Sequence, residues 1–101
     1  MNARTWFDMV DFDRRETALR ELIFHLKFVV MSIEHSILRH RSDREQSGRY
    51  PDADWIREKE TEIENNKKVV ALLKKQADTL SAAYSETAAT VFRLGKHSLH
   101  R

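Results

Sequence analysis

Apolar residues recur along residues 13–44 at the spacing of an amphipathic helix. The main stripe has apolar residues three or four positions apart and consists of Leu19, Leu22, Ile23, Leu26, Val29, Val30, Ile33 and Ile37. Residues at this spacing share one face of an α-helix. Asp13, with Glu16 three positions later, supplies the capping pattern that often begins a helix. We therefore expect a first long helix over residues 13–44.

A second apolar stripe follows another side of the same helix. Its members also keep helical spacing and are Phe24, Phe28, Met31, His35 and Leu38. A hairpin partner covers only one face of a helix, and leaving a large apolar side chain in water forgoes roughly 1.5–3 kcal/mol. We expect this stripe to close a homodimeric four-helix bundle, because two-fold dimers are the commonest oligomers. A different helical protein is the alternative occupant.

Residues 45–52 combine the strongest helix breakers in the chain. Gly48 can adopt the left-handed conformation that ends many helices, and Pro51 cannot continue one. Asp52 or Asp54 can then cap the next helix with its carboxylate. This segment is the expected hairpin loop.

Residues 53–94 can be written as heptads without a slip. The a positions are Ile56, Ile63, Val70, Ala77, Tyr84 and Val91, and the d positions are Lys59, Asn66, Leu73, Leu80, Thr87 and Leu94. Such a repeat is typical of a packed helical seam, so we expect a second long helix over residues 53–94, antiparallel to the first. Asn66 places an amide in this seam, where it either sets the register with a partner or marks a bend.

The two ends of the chain differ in character. Residues 1–12 are rich in aromatic side chains, whereas residues 95–101 form a short basic tail after Gly95. Because the second helix is longer than the first, we expect the N-terminal segment to cover its far end. The predicted contacts join Trp6, Phe7, Val10 and Phe12 to Tyr84, Ala88, Val91 and Phe92. Alternatively, Trp6 and Phe7 contact a partner protein.

Composition supports a single all-α domain over residues 1–101. The chain has only 2 glycines and 1 proline, too few for the regular turns of a β-sandwich. It has no cysteine, which excludes disulfides, thiolate metal sites and cysteine nucleophiles. The 18 basic and 16 acidic residues are interspersed, which gives only modest support to nucleic-acid binding.

Membrane and secretion signals are not evident. No apolar run approaches the 18 or so residues of a membrane span. Asp8, Asp11 and Asp13 lie where a signal peptide would have its apolar stretch. We expect a cytoplasmic protein without membrane contact.

The histidines do not form a metal-binding pattern. A bundle di-metal site uses Glu-x-x-His pairs and a zinc peptidase uses His-Glu-x-x-His, and the chain has neither. We expect no metal and no cofactor. His35 is expected to line the dimer seam.

One short segment points to a different function. The run from Arg20 to His25, Arg-Glu-Leu-Ile-Phe-His, resembles the Arg-x4-6-His signature of the HEPN ribonucleases, which are helical proteins that place this pair at a dimer cleft. The resemblance implies that His25 acts as general base and that Arg20 holds the phosphate. It covers six residues, and the spacing from Arg93 to His100 fits the same signature.

Basic residues also gather near the loop. Arg39, Arg41, Arg44 and Arg49 could contact phosphates or a protein partner, although neighbouring carboxylates weaken their field. Since no pattern specifies a reaction, we expect a non-enzymatic protein-protein interaction module that acts as a helical dimer. Its role would be that of an adaptor, a chaperone-like binder, an antitoxin or an inhibitor of a larger partner. The alternatives are a ribonuclease using Arg20 and His25 and a nucleic-acid binder using the loop-end arginines.

Overall fold

Two long helices make up the part of the chain that the structure describes. The computed structural model describes the backbone of residues 3–99 and the side chains of residues 3–94. Helix α1 spans Ala3–Gln46, helix α2 spans Ala53–Leu99, and residues 47–52 connect them. Residues 3–99 contain no strand. The all-α helical hairpin predicted from the sequence is confirmed.

Helix α1 begins earlier than the capping pattern at Asp13 predicted. It starts at Ala3, so residues 3–12 are its first turns and not a separate segment. The reason is that no glycine or proline precedes Asp13 to stop the helix. An ion pair also crosses the predicted boundary, because Arg15 Nε lies 3.1 Å from Asp11 Oδ2 one turn earlier. With this start α1 has 44 residues and nearly matches the 47 of α2.

Backbone hydrogen bonds and one left-handed residue end α1. Gly48 has a φ of 65° and donates from its N–H to the carbonyl of Glu45 over 3.1 Å. The N–H of Arg49 donates to the carbonyl of Arg44 over 2.8 Å. These two bonds form a Schellman motif, which satisfies carbonyls that the helix end would otherwise leave without partners. The left-handed conformation predicted for Gly48 is confirmed.

Asp52 caps the start of α2. Its Oδ1 accepts a hydrogen bond of 3.1 Å from the N–H of Trp55, and its carbonyl accepts the first helical bond, 3.0 Å from the N–H of Ile56. A carboxylate at this position satisfies backbone donors that have no helical partner. The helix start at Ala53 therefore agrees with the prediction.

Helix α2 continues through both places where a break or bend was considered. Asn66 Nδ2 donates to the carbonyl of Glu62 over 2.9 Å, so the amide is satisfied within its own helix and α2 remains continuous. The helix also passes the expected end at Gly95 and reaches Leu99. A single glycine costs about 1 kcal/mol relative to alanine, which does not stop a helix when no proline follows. Residues 100–101 of the expected tail lie outside the described residues.

The chain forms two compact units, each made of parts of both helices. The loop-end unit comprises residues 22–72, and the terminal unit comprises residues 1–21 and 73–101. The buried side chains of the loop-end unit are Ile23, Val30, Ile37 and Ile56, and that of the described terminal unit is Ala77. These residues belong to the α1 stripe and the α2 heptads predicted to pack. Over their described lengths, neither helix is apolar enough along a sufficient stretch to cross a membrane.

Candidate interaction surface

The second apolar stripe of α1 lies in solvent. We call it the outer face, and its members are Phe24, Phe28, Met31, His35 and Leu38. The four apolar members are 61–74% exposed, and His35 is also exposed. All five belong to the loop-end unit. Soluble monomers rarely expose a contiguous apolar patch of this kind unless it binds something.

Adjacent residues on α1 show how sharply the two faces differ. Ile37 is 7% exposed, whereas Leu38 is 63% exposed. Apolar side chains thus lie on separate sides of α1, so this helix as a whole is hardly amphipathic. Helix α2, in contrast, is clearly amphipathic. Packing between the two helices consequently accounts for one apolar face of α1 and not for the other.

The loop-end unit exposes three further large aliphatic residues, and the sequence patterns did not mark any of them as exposed. Leu22 had been placed in the packed stripe but is 45% exposed, and Val69 and Leu72 of α2 are also exposed. Val69 and Leu72 occupy neither a nor d positions of the heptads. Their place outside the a and d register was the signal that could have identified them.

His40 has a structural role in residues 47–52, which we call the closing turn. Its Nε2 accepts a hydrogen bond of 3.0 Å from the N–H of Asp52, and its ring lies 4.6 Å from that of Trp55 between centroids. Lys59 Nζ lies 5.7 Å from the centroid of the Trp55 ring, within the range of a cation–π contact. No sequence pattern indicated this cluster, since its members come from both sides of the loop.

The candidate arginines near the loop lie in different surroundings. Arg41 is in an ion pair with Glu60, with 3.8 Å between Nη2 and Oε1. Arg39 and Arg49 are exposed, Arg44 is half-buried, and none of these three forms an ion pair within the described side chains. A shallow open groove beside Arg41 is lined by Arg41, Tyr50, Pro51, Ala53, Ile56, Arg57 and Glu60.

Arg20 is held by two carboxylates. Its Nη2 lies 3.2 Å from Asp78 Oδ1 on α2, and its Nε lies 3.2 Å from Glu16 Oε1 on α1. The hydrogen bond to Asp78 and then that to Glu16 raise the pKa of Arg20. His25, its partner in the ribonuclease hypothesis, is exposed. No hydrogen bond or ion pair of the described side chains involves His25.

The aromatic residues at the start of α1 are more exposed than predicted. Trp6 and Phe7 are each more than half exposed, so their prediction as core residues is wrong, whereas Val10 and Phe12 are half-buried. Continuous helix accounts for Phe12, which lies two turns before the half-buried residue Leu19 and so shares its side of α1, whereas Trp6 and Phe7 fall on other sides. Of the predicted partners on α2, Ala88 and Val91 are half-buried and Tyr84 and Phe92 are exposed.

The side chains of residues 3–94 do not assemble a metal-binding group. They contain no group of three or more histidine or carboxylate side chains placed to hold a metal ion. Comparison with family models, curated proteins and solved structures gave no match to the chain. The outer face of α1 is therefore the feature on which a function can be argued.

Proposed function

We propose that the protein is a non-enzymatic interaction module that binds another polypeptide through the outer face of α1 and works as a helical dimer. The exposure of Phe24, Phe28, Met31 and Leu38 is the observation that carries this proposal. A partner helix that covers this face would remove large apolar side chains from water, which is the main driving force of most protein association. Adaptors, chaperone-like binders, antitoxins and inhibitors of larger proteins all work in this way.

The surroundings of Arg20 favour this proposal over a ribonuclease. Two carboxylates accept its hydrogen bonds and offset its charge, so a phosphate would have to displace them. The ion pair of Arg41 with Glu60 likewise weakens one member of the loop-end arginines as a phosphate contact. An interaction surface needs neither group.

A capture experiment tests the proposal. The wild-type protein, a Phe28→Ser/Met31→Ser variant and a Leu72→Ser control are expressed with an affinity tag in the source cell. We expect wild type and control to retain one stoichiometric protein, either further copies of the chain or another polypeptide, and the outer-face variant to lose it. The control removes an exposed apolar residue of the same unit that lies outside the outer face.

Helical circular dichroism checks that all three proteins fold. If the folded outer-face variant retained the same proteins as wild type, in the same amounts, the proposal would be wrong. Cleavage of RNA by wild type that disappears in a folded His25→Ala variant would instead establish the ribonuclease.

A further inference from the structure

The outer face of α1 has nearly the same spacing in both directions from Met31. Toward the C-terminus its next members are His35 and Leu38, and toward the N-terminus they are Phe28 and Phe24. Phe24 and Leu38 each lie seven residues from Met31. A two-fold axis at Met31 would therefore place the outer face of a second copy on the first, in the antiparallel direction and with Phe24 opposite Leu38.

Two charged residues beside the outer face obey the same symmetry. Lys27 and Glu34 are seven residues apart, and a heptad returns to within about 20° of the same side of a helix. Their midpoint lies beside Met31. In an antiparallel pair about that axis, Lys27 of each copy would lie within one residue, about 1.5 Å along the helix, of the position opposite Glu34 of the other. A parallel two-fold pair would instead place the two copies of each residue on opposite sides of the interface, so that Lys27 and Glu34 would form no contacts across it.

Both charges are available for such contacts. Lys27 and Glu34 are exposed, and neither belongs to an ion pair within the described side chains. Within one chain they are too far apart to pair, because helical ion pairs form between residues three or four apart. The α2 part of the loop-end unit offers less to an apolar face, since its exposed large apolar residues are Val69 and Leu72.

We infer that a second copy of this chain covers the outer face by antiparallel pairing of α1 with α1, with the two-fold axis at Met31 and reciprocal ion pairs between Lys27 and Glu34. The inference rests on the proposed function and specifies its partner. It also assigns Lys27 and Glu34 to the interface, where they set the direction and register of pairing while the apolar side chains supply the affinity.

Charge reversal tests the reciprocal pairs. Lys27→Glu and Glu34→Lys each replace two attractive contacts per dimer by two repulsive ones, so the Kd of dimerisation should rise roughly tenfold in each. The double variant exchanges the charges and should return the Kd to near the wild-type value. Lys68→Glu, an exposed lysine of α2, is the matched control and should leave the Kd unchanged. Sedimentation equilibrium at low salt measures all four.

Cysteine cross-linking tests the direction of pairing. Because the chain has no cysteine of its own, every disulfide must come from the introduced residues. Met31→Cys should form an intermolecular disulfide on mild oxidation. Phe24→Cys alone should not, because the two substituted positions would lie about 21 Å apart. A variant with both Phe24→Cys and Leu38→Cys should form intermolecular disulfides, because the two positions lie opposite each other in the pair. Efficient cross-linking of Phe24→Cys alone, or a double charge variant no better than the single ones, would overturn the inference.

A monomeric wild type at micromolar concentration would overturn the inference and the dimeric state in the proposed function, but it would not decide whether the outer face binds a different polypeptide. The proposed binding role of the outer face would stand if the Phe28→Ser/Met31→Ser variant lost a different protein that wild type captures. It would fail together with the inference only if the variant captured the same proteins as wild type.

Discussion

The loop-end unit and the terminal unit use the same two helices but bury side chains of different size. In the loop-end unit the buried residues are Ile23, Val30, Ile37 and Ile56, all large and branched, whereas in the described terminal unit it is Ala77. Burial stabilises by roughly 25 cal/mol for each Å² of apolar surface removed from water. Heptad spacing therefore determines which residues lie between the helices. The volume of those side chains determines how much burial stabilises each unit.

The closing turn adds to this difference. The loop-end unit contains the Schellman motif at Gly48, the Asp52 cap and the ring contact between His40 and Trp55. The terminal unit contains an ion pair between the helices, Arg20 with Asp78, whose side chains are both exposed. Exposed ion pairs contribute little because water and salt screen them. We infer that the loop-end unit is the more stable of the two.

The largest expected effect comes from the core of the loop-end unit. Ile37→Ala should lower the free energy of unfolding by about 2–4 kcal/mol, because it leaves a gap among buried side chains. Leu38→Ala is the matched control, as it removes a side chain of the same size from the exposed side of the helix. Urea unfolding followed by circular dichroism at several protein concentrations measures both.

The two variants should also differ in their dependence on concentration. Ile37→Ala should destabilise at every concentration, while Leu38→Ala should act only where the dimer is populated, since association stabilises by mass action. If both variants lost the same free energy of unfolding in dilute protein, Leu38 would be buried within one chain. The distinction between the two faces of α1 would then be wrong.

A middle-sized effect is expected at Ala77 of the terminal unit. Its side chain is fully buried, with 0% exposed, so Ala77→Leu should overpack the seam and cost about 1–3 kcal/mol. Ala82→Leu, which adds the same atoms at an exposed position of α2, should have little effect. Thermal unfolding compares them. If Ala77→Leu raised the melting temperature, the helices would leave unfilled space around Ala77. That space would then explain the lower stability of the terminal unit.

The smallest expected effect concerns the α2 cap. Asp52→Ala removes the acceptor of the Trp55 N–H and should cost about 1 kcal/mol. Asp52→Asn keeps an acceptor oxygen at the same place and should retain most of the stability. Urea unfolding should resolve the two. No loss in Asp52→Ala would mean that the His40 bond to the Asp52 N–H holds the turn by itself.

Much of the fold followed from the sequence because its signals are local. Gly48 and Asp52 act through their own backbone and the next few residues, so the turn and the approximate start of α2 were predictable, with Asp52 or Asp54 as the cap. The register of Ile56 and Ala77 followed from the heptad repeat. The uncovered stripe containing Phe24 and Leu38 was also predictable, because a hairpin gives each helix only one neighbour.

The features that were missed depend on competition between signals or on distant residues. Asp13 has the residue type of a cap, but a helix that meets no breaker continues past it and starts at Ala3. Gly95 failed to end α2 for the same reason. The contact of His40 with Trp55 and the ion pair of Arg20 with Asp78 join residues from different helices. Their formation depends on the exact helix register, which periodicity alone does not give.

The closing turn also determines where the protein tolerates extra sequence. Its closure relies on the backbone of Gly48 and Arg49 and on the Asp52 cap, whereas the Tyr50 side chain is 93% exposed. Exposed loop tips of this kind accept added residues readily. An epitope or a small fluorescent reporter inserted directly after Tyr50 would leave the bonds that reverse the chain in place, which makes this position suitable for labelling the protein in cells.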